Sequence, residues 1–311
     1  MRGMSLLFGL FGGALLCGCG DDSGGSAGGG QMYTTRSSVS DGLAAAGDVF
    51  VAAGQGVFGV FGGSGAHQIR DGWSVEYQKL LVSLGTVTLR RTDDGDHEVV
   101  ARVIVDLQGL PDDGVLIDHV DNRGGPAAVD FTLPPATTAS AALAPGTLEA
   151  DAEMMITNGW AFYIEGTIEK SDGHSCKPDA PADCVQASTI RFRWGLPYGA
   201  AYTGCEWNDP SVPSQNVTLT LPAVTWLQTS VDTETTTLRA QWIADADLDR
   251  DGETTLEELE QIDAATLLTR RRGYELSGTS RPIDTVYDYL REQVLVAGKR
   301  SWGRCTSASE L

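Results

Sequence analysis

Asp247, Asp249 and Asp251 recur at every second position, Gly252 follows, and Glu258 comes one helical turn and a half later. Side chains of this type at this spacing can hold a hard cation. An EF-hand loop takes oxygen ligands from positions 1, 3, 5, 7, 9 and 12, with Gly at 6 for a sharp turn and a bidentate Glu at 12. Counting from Asp247 puts Asp249 at 3, Asp251 at 5 and Gly252 at 6. The backbone carbonyl of Glu253 then falls at 7, Thr255 at 9 and Glu258 at 12. Counting from Asp245 instead puts Arg250 at position 6, where no turn of that kind forms, so Asp245 is not a ligand. The ion implied is calcium, Ca2+; magnesium suits so flexible a loop less well.

Position 8 tempers the reading. It is normally Ile, Val or Leu and pairs with a second hand, whereas here it is Thr254, and the chain holds no second loop of this pattern. An unpaired hand binds weakly, in the range of about 10⁻⁴–10⁻³ M found in extracellular modules. That points to a structural ion rather than a sensor. The blander alternative is a solvated helix–turn–helix, but its clustered carboxylates would repel one another with no cation between them.

The elements that must position these residues can be read from periodicity. Leu238, Trp242, Ile243 and Ala246 lie on one helical face before the loop, entered through the Thr-rich "TETTT" as a source of N-caps. Leu256, Leu259 and Ile262 follow the loop, and Ile283, Val286, Tyr287, Leu290 and Val294 mark a further helix with Arg281-Pro282 at its start. Upstream, from about residue 47 to about 230, the pattern is β. Seven short runs rich in Val, Ile, Thr and aromatics, from "SVEYQKLLVSL" to "NVTLTLPAVTW", are separated by turns such as Asp94-Gly95, Asn158-Gly159 and Asp172-Gly173. In "TIRFRW" Ile190, Phe192 and Trp194 alternate with arginines, the period of a strand with one buried face. With no helical pattern between the runs, the expected fold is mainly β with a C-terminal helical segment: an antiparallel β-sandwich over residues 41–235, then a single EF-hand-like helix–loop–helix within 236–311.

The start of the chain predicts export. Arg2 precedes an apolar run from Met4 to Leu16, too short for a membrane span and the right length for a signal peptide over residues 1–18. Leu16-Cys17-Gly18-Cys19 resembles the lipobox of bacterial lipoproteins, with Cys19 as the lipidated residue because Gly18 precedes it. Residues 19–40 are a Gly/Ser-rich tether without core-forming residues. The expected setting is the cell envelope: an outer-membrane lipoprotein facing periplasm or surface, held to the membrane by its lipid.

Charge and cysteines agree with that setting. There are 22 Lys and Arg against 42 Asp and Glu, which argues against a nucleic-acid partner and for solubility and cation association. Beyond the signal region four cysteines remain, Cys176, Cys184, Cys205 and Cys305, and an even count in an exported chain predicts disulfides. Three pairings are open. The favoured one is Cys176–Cys184 across "CKPDAPADC" with Cys205–Cys305 stapling the C-terminus back onto the middle of the chain; irregular spacings argue against a cysteine metal site.

No catalytic motif survives inspection. "GQGVFG" (Gly54–Gly59) matches a dinucleotide fingerprint but lacks a credible helix after it; His97-Glu98 begins a zinc-protease motif that ends at Ala101. The sequence around Ser64 lacks the second glycine of a nucleophile elbow, and that around Lys299 lacks a P-loop's flanks. His67, His97, His119 and His174 are scattered. Trp160 and Trp194 sit in strand patterns, where core packing is the expectation ahead of a sugar platform.

With these residues placed, the chain resembles a family of uncharacterised bacterial envelope lipoproteins with a C-terminal EF-hand. The likeness covers roughly residues 70 to 305 and rests on "DGWSVEYQKLLVSL", on "TIRFRWG" followed by "YTGC", on the cation loop and on Cys305. Relatives often carry histidines where this chain has "LPAVTWL" and "GKRSWGRC", so a transition-metal role built on those histidines does not carry over to this chain, and the resemblance implies no established activity. The function expected is a binding or scaffolding module without catalysis, with an envelope protein or glycan as partner. The alternative is an envelope glycan hydrolase working through paired carboxylates.

Overall fold

The computed structural model describes residues 46–53, 69–90, 96–110, 115–121, 128–140, 142–206, 217–221, 225–231, 237–269, 273–279, 281–297, 305 and 307–311. The signal region, Cys19, the tether, His67 and the motifs at Gly54–Gly59, Ser64 and Lys299 lie outside them. Among the described residues no helix is long and apolar enough to cross a membrane.

Strand β2 (Ser74–Arg90) is the hub. Its ends alternate buried and exposed residues, whereas Leu80–Gly85 are buried without a break. Both faces are covered there. Leu80, Val82 and Leu84 belong to the main core, and Leu81 joins Ile104, Ala152, Met155 and Tyr163 in a smaller cluster on the other side. One edge of β2 carries β3 (His97–Asp106). The other carries β7 (Phe162–Glu169) along Ser74–Val82 and β5 (Ala128–Leu133) along Val87–Arg90. The handover falls at Gly85, where a Cβ would meet Thr132 Oγ1 at 2.5 Å and the Pro134 ring at 2.7 Å. No larger residue fits so close an approach.

Strand β10 (Thr189–Leu196) pairs with β7, and β11 (Ala200–Glu206) with β5. In β10, Ile190, Phe192 and Trp194 are buried, and Thr189, Arg191 and Arg193 are exposed. With β6 (Ala142–Leu143), β13 (Glu253–Thr254) and β14 (Ser307–Glu310) these make a nine-stranded sheet. It is mixed: β6 runs parallel to β3 and β13 parallel to β10. Strands β1 (Ala46–Ala53), β4 (Val115–Asp121) and β12 (Val217–Leu221) form a second sheet, and β8 (His174–Cys176) and β9 (Cys184–Gln186) a hairpin. The protein is thus mainly β.

Helix α1 (Glu149–Asn158) interrupts the β region, where no helix is expected from the sequence. Its apolar stripe is meagre, with Ala152 and Met155 buried beside Asp151. Acidic residues in its first turn suit the positive end of the helix dipole. Asn158-Gly159, expected as a turn between strands, is the helix end: Gly159 is left-handed (φ 62°), its N–H donates to Ile156 O, and the Trp160 N–H reaches Met155 O.

The C-terminal part holds α2 (Gln241–Asp245), α3 (Leu256–Gln261) and α4 (Val286–Leu295). Helix α2 takes its cap from far away. Asp71 Oδ2 accepts from the N–H groups of Ala240 (3.0 Å) and Gln241 (2.9 Å); most of the Thr-rich segment before α2 lies outside the described residues. Helix α4 begins after Thr285, which forms a capping box with Asp288, rather than at Pro282. Trp242, Ile243, Leu259, Val286 and Leu290 pack into the same core as the sheet. Disulfides join Cys176 to Cys184 and Cys205 to Cys305.

Candidate metal centre

Helix α2 delivers the loop. Trp242 stacks on Trp194 (ring centroids 5.5 Å apart), which stacks on Phe192 (4.7 Å), so the entering helix is seated on strand β10. The loop's exit is seated on the same strand. Glu253 and Thr254 pair in parallel with Arg191 and Phe192, the Arg191 N–H donates to Gly252 O (2.9 Å), and Trp194 Nε1 donates to Thr254 O (3.0 Å). Thr254, the polar residue at position 8, is fully buried, and its hydroxyl donates to Ile243 O (2.7 Å), closing the loop on its entering helix. The edge of the large sheet thus holds the exit of the loop in place.

Asp247, Asp249 and Glu258 converge, each offering a carboxylate oxygen within 4.8 Å of the others. Asp247 is buried; its Oδ1 accepts from the Asp251 N–H and its Oδ2 from the Gly252 N–H, both at 3.1 Å. Gly252 holds φ at 84°, and a Cβ there would meet nothing within 4 Å, so the backbone angle alone is what calls for glycine. Glu258 spans the loop: Oε1 accepts from the Leu248 N–H (2.7 Å), and Oε2 from the N–H (2.8 Å) and hydroxyl (2.9 Å) of Thr255. Thr255 in turn caps α3, accepting from the Glu258 N–H.

The other expected ligands are placed differently. Asp251 is exposed, and its Oδ1 accepts from the Glu253 N–H (2.8 Å). The Glu253 carboxylate turns to β10, where Arg193 Nε donates to it (2.7 Å) and Arg191 lies at 3.5 Å, leaving its backbone carbonyl as the candidate ligand. Asp245 is buried away from the cluster and accepts from the Cys176 N–H and Gln241 Nε2, both at 3.0 Å. Its neighbours, together with Asp71, Asp183 and the two arginines, support the loop from distant parts of the chain, and no local sequence signal marks them.

Burial is the main cause that raises the Asp247 carboxyl above its ordinary range; the nearby Glu258 and Asp251 carboxylates push the same way, and the Gly252 N–H opposes them. A cation among these oxygens would reverse the penalty. The donor set is all hard oxygen, which suits calcium or magnesium and not a soft metal.

A second group of ionisable side chains lies under α1. Asp151 pairs with Lys79, the Tyr163 hydroxyl donates to Glu165 (2.9 Å), and Asp106 Oδ1 accepts from the N–H groups of Gln108 (3.0 Å) and Leu80 (3.3 Å). The Lys79–Asp151 pair fastens α1 to β2, and the Leu80 bond fastens β2 to β3. Burial raises the Asp106 carboxyl above 3.8, Asp151 adds to the rise, and the two N–H donors and Lys79 oppose it. The folded state therefore holds this proton more tightly than the unfolded chain. Through Asp106, stability should rise as the pH falls through the raised value and level off below the unfolded value. Asp106→Asn, which keeps the acceptor oxygen, is expected to melt above wild type near neutral pH, with the gap closing on acidification. A gap that does not change across a pH series of melts would contradict this origin.

Of the described tryptophans, Trp73, Trp194, Trp226 and Trp242 are buried; Trp160 is half-buried and stacks on Tyr163. His174 is exposed, and its backbone carbonyl accepts from Gln241 Nε2 (2.6 Å).

Comparison with protein-family models, curated proteins and solved structures found no match. The fold and the acidic loop define a mainly β protein whose large sheet carries, on one edge, a short helix–loop–helix with three converging carboxylates.

Proposed function

We propose that residues 241–261 are a calcium-binding helix–loop–helix of EF-hand type, acting as a structural clasp on a sandwich-like β-domain. The observation that carries this reading is the convergence of Asp247, Asp249 and Glu258, with their oxygens within 4.8 Å of one another. Asp251, the Glu253 carbonyl and Thr255 complete the ligand set. Calcium would remove the repulsion among these carboxylates and hold β13 against β10, covering an edge that otherwise invites pairing with other chains. The module belongs to a lipid-anchored envelope protein that works by binding or scaffolding. The lipobox-like start, the acidic surface and the paired cysteines support that setting.

Thermal unfolding with and without calcium tests the clasp. Calcium at about 10 mM should stabilise wild type by about 1.4–2.7 kcal/mol for a Kd of about 10⁻³–10⁻⁴ M, raising Tm by roughly 3–10 °C. Glu258→Gln preserves the capping box, since Gln serves at that position as well as Glu. It removes the bidentate charge, so its Tm should not respond to calcium. A wild-type Tm that ignores calcium sinks the reading.

A further inference from the structure

The hairpin β8–β9 touches the cation loop at two places. On the helix side, the Cys176 N–H donates to Asp245 Oδ1 (3.0 Å), and Gln241 Nε2 bridges Asp245 (3.0 Å) and His174 O (2.6 Å). On the loop side, Arg250 Nη2 donates to both Asp183 O (2.9 Å) and Asp183 Oδ1 (2.8 Å). Arg250 stands between two ligand positions, Asp249 and Asp251, and holds a left-handed backbone (φ 65°) that a non-glycine residue seldom adopts. The hairpin is itself closed by the Cys176–Cys184 disulfide, with Cys176 directly opposite Cys184.

From these contacts we infer that the disulfide hairpin positions the cation loop, with Asp183 and Arg250 as positioning residues that set its calcium affinity; this rests on the calcium reading above. Two physical effects act together. The latch holds Arg250 in its strained conformation, so less ordering remains to be done when the ion binds. Asp183 also neutralises a guanidinium that would otherwise repel a cation bound beside it, and the same contact holds the Asp183 carboxyl below its ordinary range.

Affinity should therefore follow the redox state of this one bridge. Cys184 is exposed and Cys176 half-buried, whereas Cys205 and Cys305 are both buried, so a small dithiol reaches the hairpin bridge first. One thiolate of the reductant attacks a bridge sulfur to give a mixed disulfide and release a cysteine thiolate. The second thiolate of the reductant displaces the other cysteine and closes the reductant's own disulfide. The two cysteine thiolates take up the two protons, leaving Cys176 and Cys184 as thiols.

Calcium titration by calorimetry, with Tm in excess chelator measured in parallel, tests this on the folded protein. Asp183→Ala should weaken calcium binding by up to about fivefold, the upper end for loss of an exposed ion pair. Asp183→Glu should recover part of the loss. Brief dithiol treatment that opens only the hairpin bridge, confirmed by thiol mapping, should weaken binding at least as much. Wild-type affinity in Asp183→Ala and in the hairpin-reduced protein overturns the inference and leaves the calcium reading standing. So does an Asp183→Ala variant that melts lower in chelator yet binds calcium as wild type does. A wild-type protein that binds no calcium overturns both.

Discussion

Replacing Trp194 with alanine is expected to lower the free energy of unfolding by about 3–5 kcal/mol, the range for deleting a buried large aromatic side chain. Trp194 is fully buried and stacks on Phe192 of its own strand and on Trp242 of helix α2. Its Nε1 also donates to Thr254 O in the acidic loop, so the alanine variant leaves a cavity and an acceptor that has lost its donor. The damage should extend to the clasp, because one side chain holds both the entry and the exit of the loop on β10. Calcium should stabilise this variant less than wild type. Trp194→Phe, which keeps a ring but no N–H, should cost about 1–2 kcal/mol. Urea unfolding measures both; a loss below about 1 kcal/mol for the alanine variant would show that sheet and helices do not share this core.

The second large effect is expected from removing the Cys205–Cys305 bridge by the double substitution Cys205→Ser, Cys305→Ser. The cysteines are 100 residues apart in sequence and both buried. Closing so long a loop restricts the unfolded chain by about 4–5 kcal/mol in the chain-entropy account, against about 2.5 kcal/mol for the Cys176–Cys184 loop. That is a large share of the roughly 5–15 kcal/mol by which whole domains are stable. The bridge encloses α2, the acidic loop, α3 and α4, and it lies two residues before β14, which pairs with β11 from Ala200 to Thr203. Limited proteolysis of the double variant should cut between α4 and β14 under conditions where wild type is intact. Equal resistance, with an unchanged unfolding midpoint, would mean that strand pairing alone holds the C-terminus.

Much of this was legible in the residues. The alternation in "TIRFRW" fits a strand with Ile190, Phe192 and Trp194 inside, because a two-residue period has only one way to bury its apolar side. The turn position also follows from Gly252, which takes its left-handed angle without the penalty that a Cβ brings. Helix α1 was not legible, since two buried apolar residues beside a buried Asp151 make no pattern that stands out from a loop. Nor was the cap on α2, since Asp71 lies far upstream and shares no local signature with the helix it serves.

The acidic loop between α2 and α3 marks the division most clearly. That Asp247, Asp249 and Glu258 would share one loop was determined by sequence alone, because side-chain spacing and turn geometry are properties of a dozen consecutive residues. Whether Thr254 would be a defect was decided only by tertiary structure. It is buried where the loop pairs with the edge of β10, and its hydroxyl is satisfied by Ile243 O. The same holds for Arg250 and Asp183, which are 67 residues apart in sequence and are brought together by a hairpin folded against α2. Local chemistry is written in short-range spacing; the partners that support it depend on where distant strands end, and no short-range pattern encodes that.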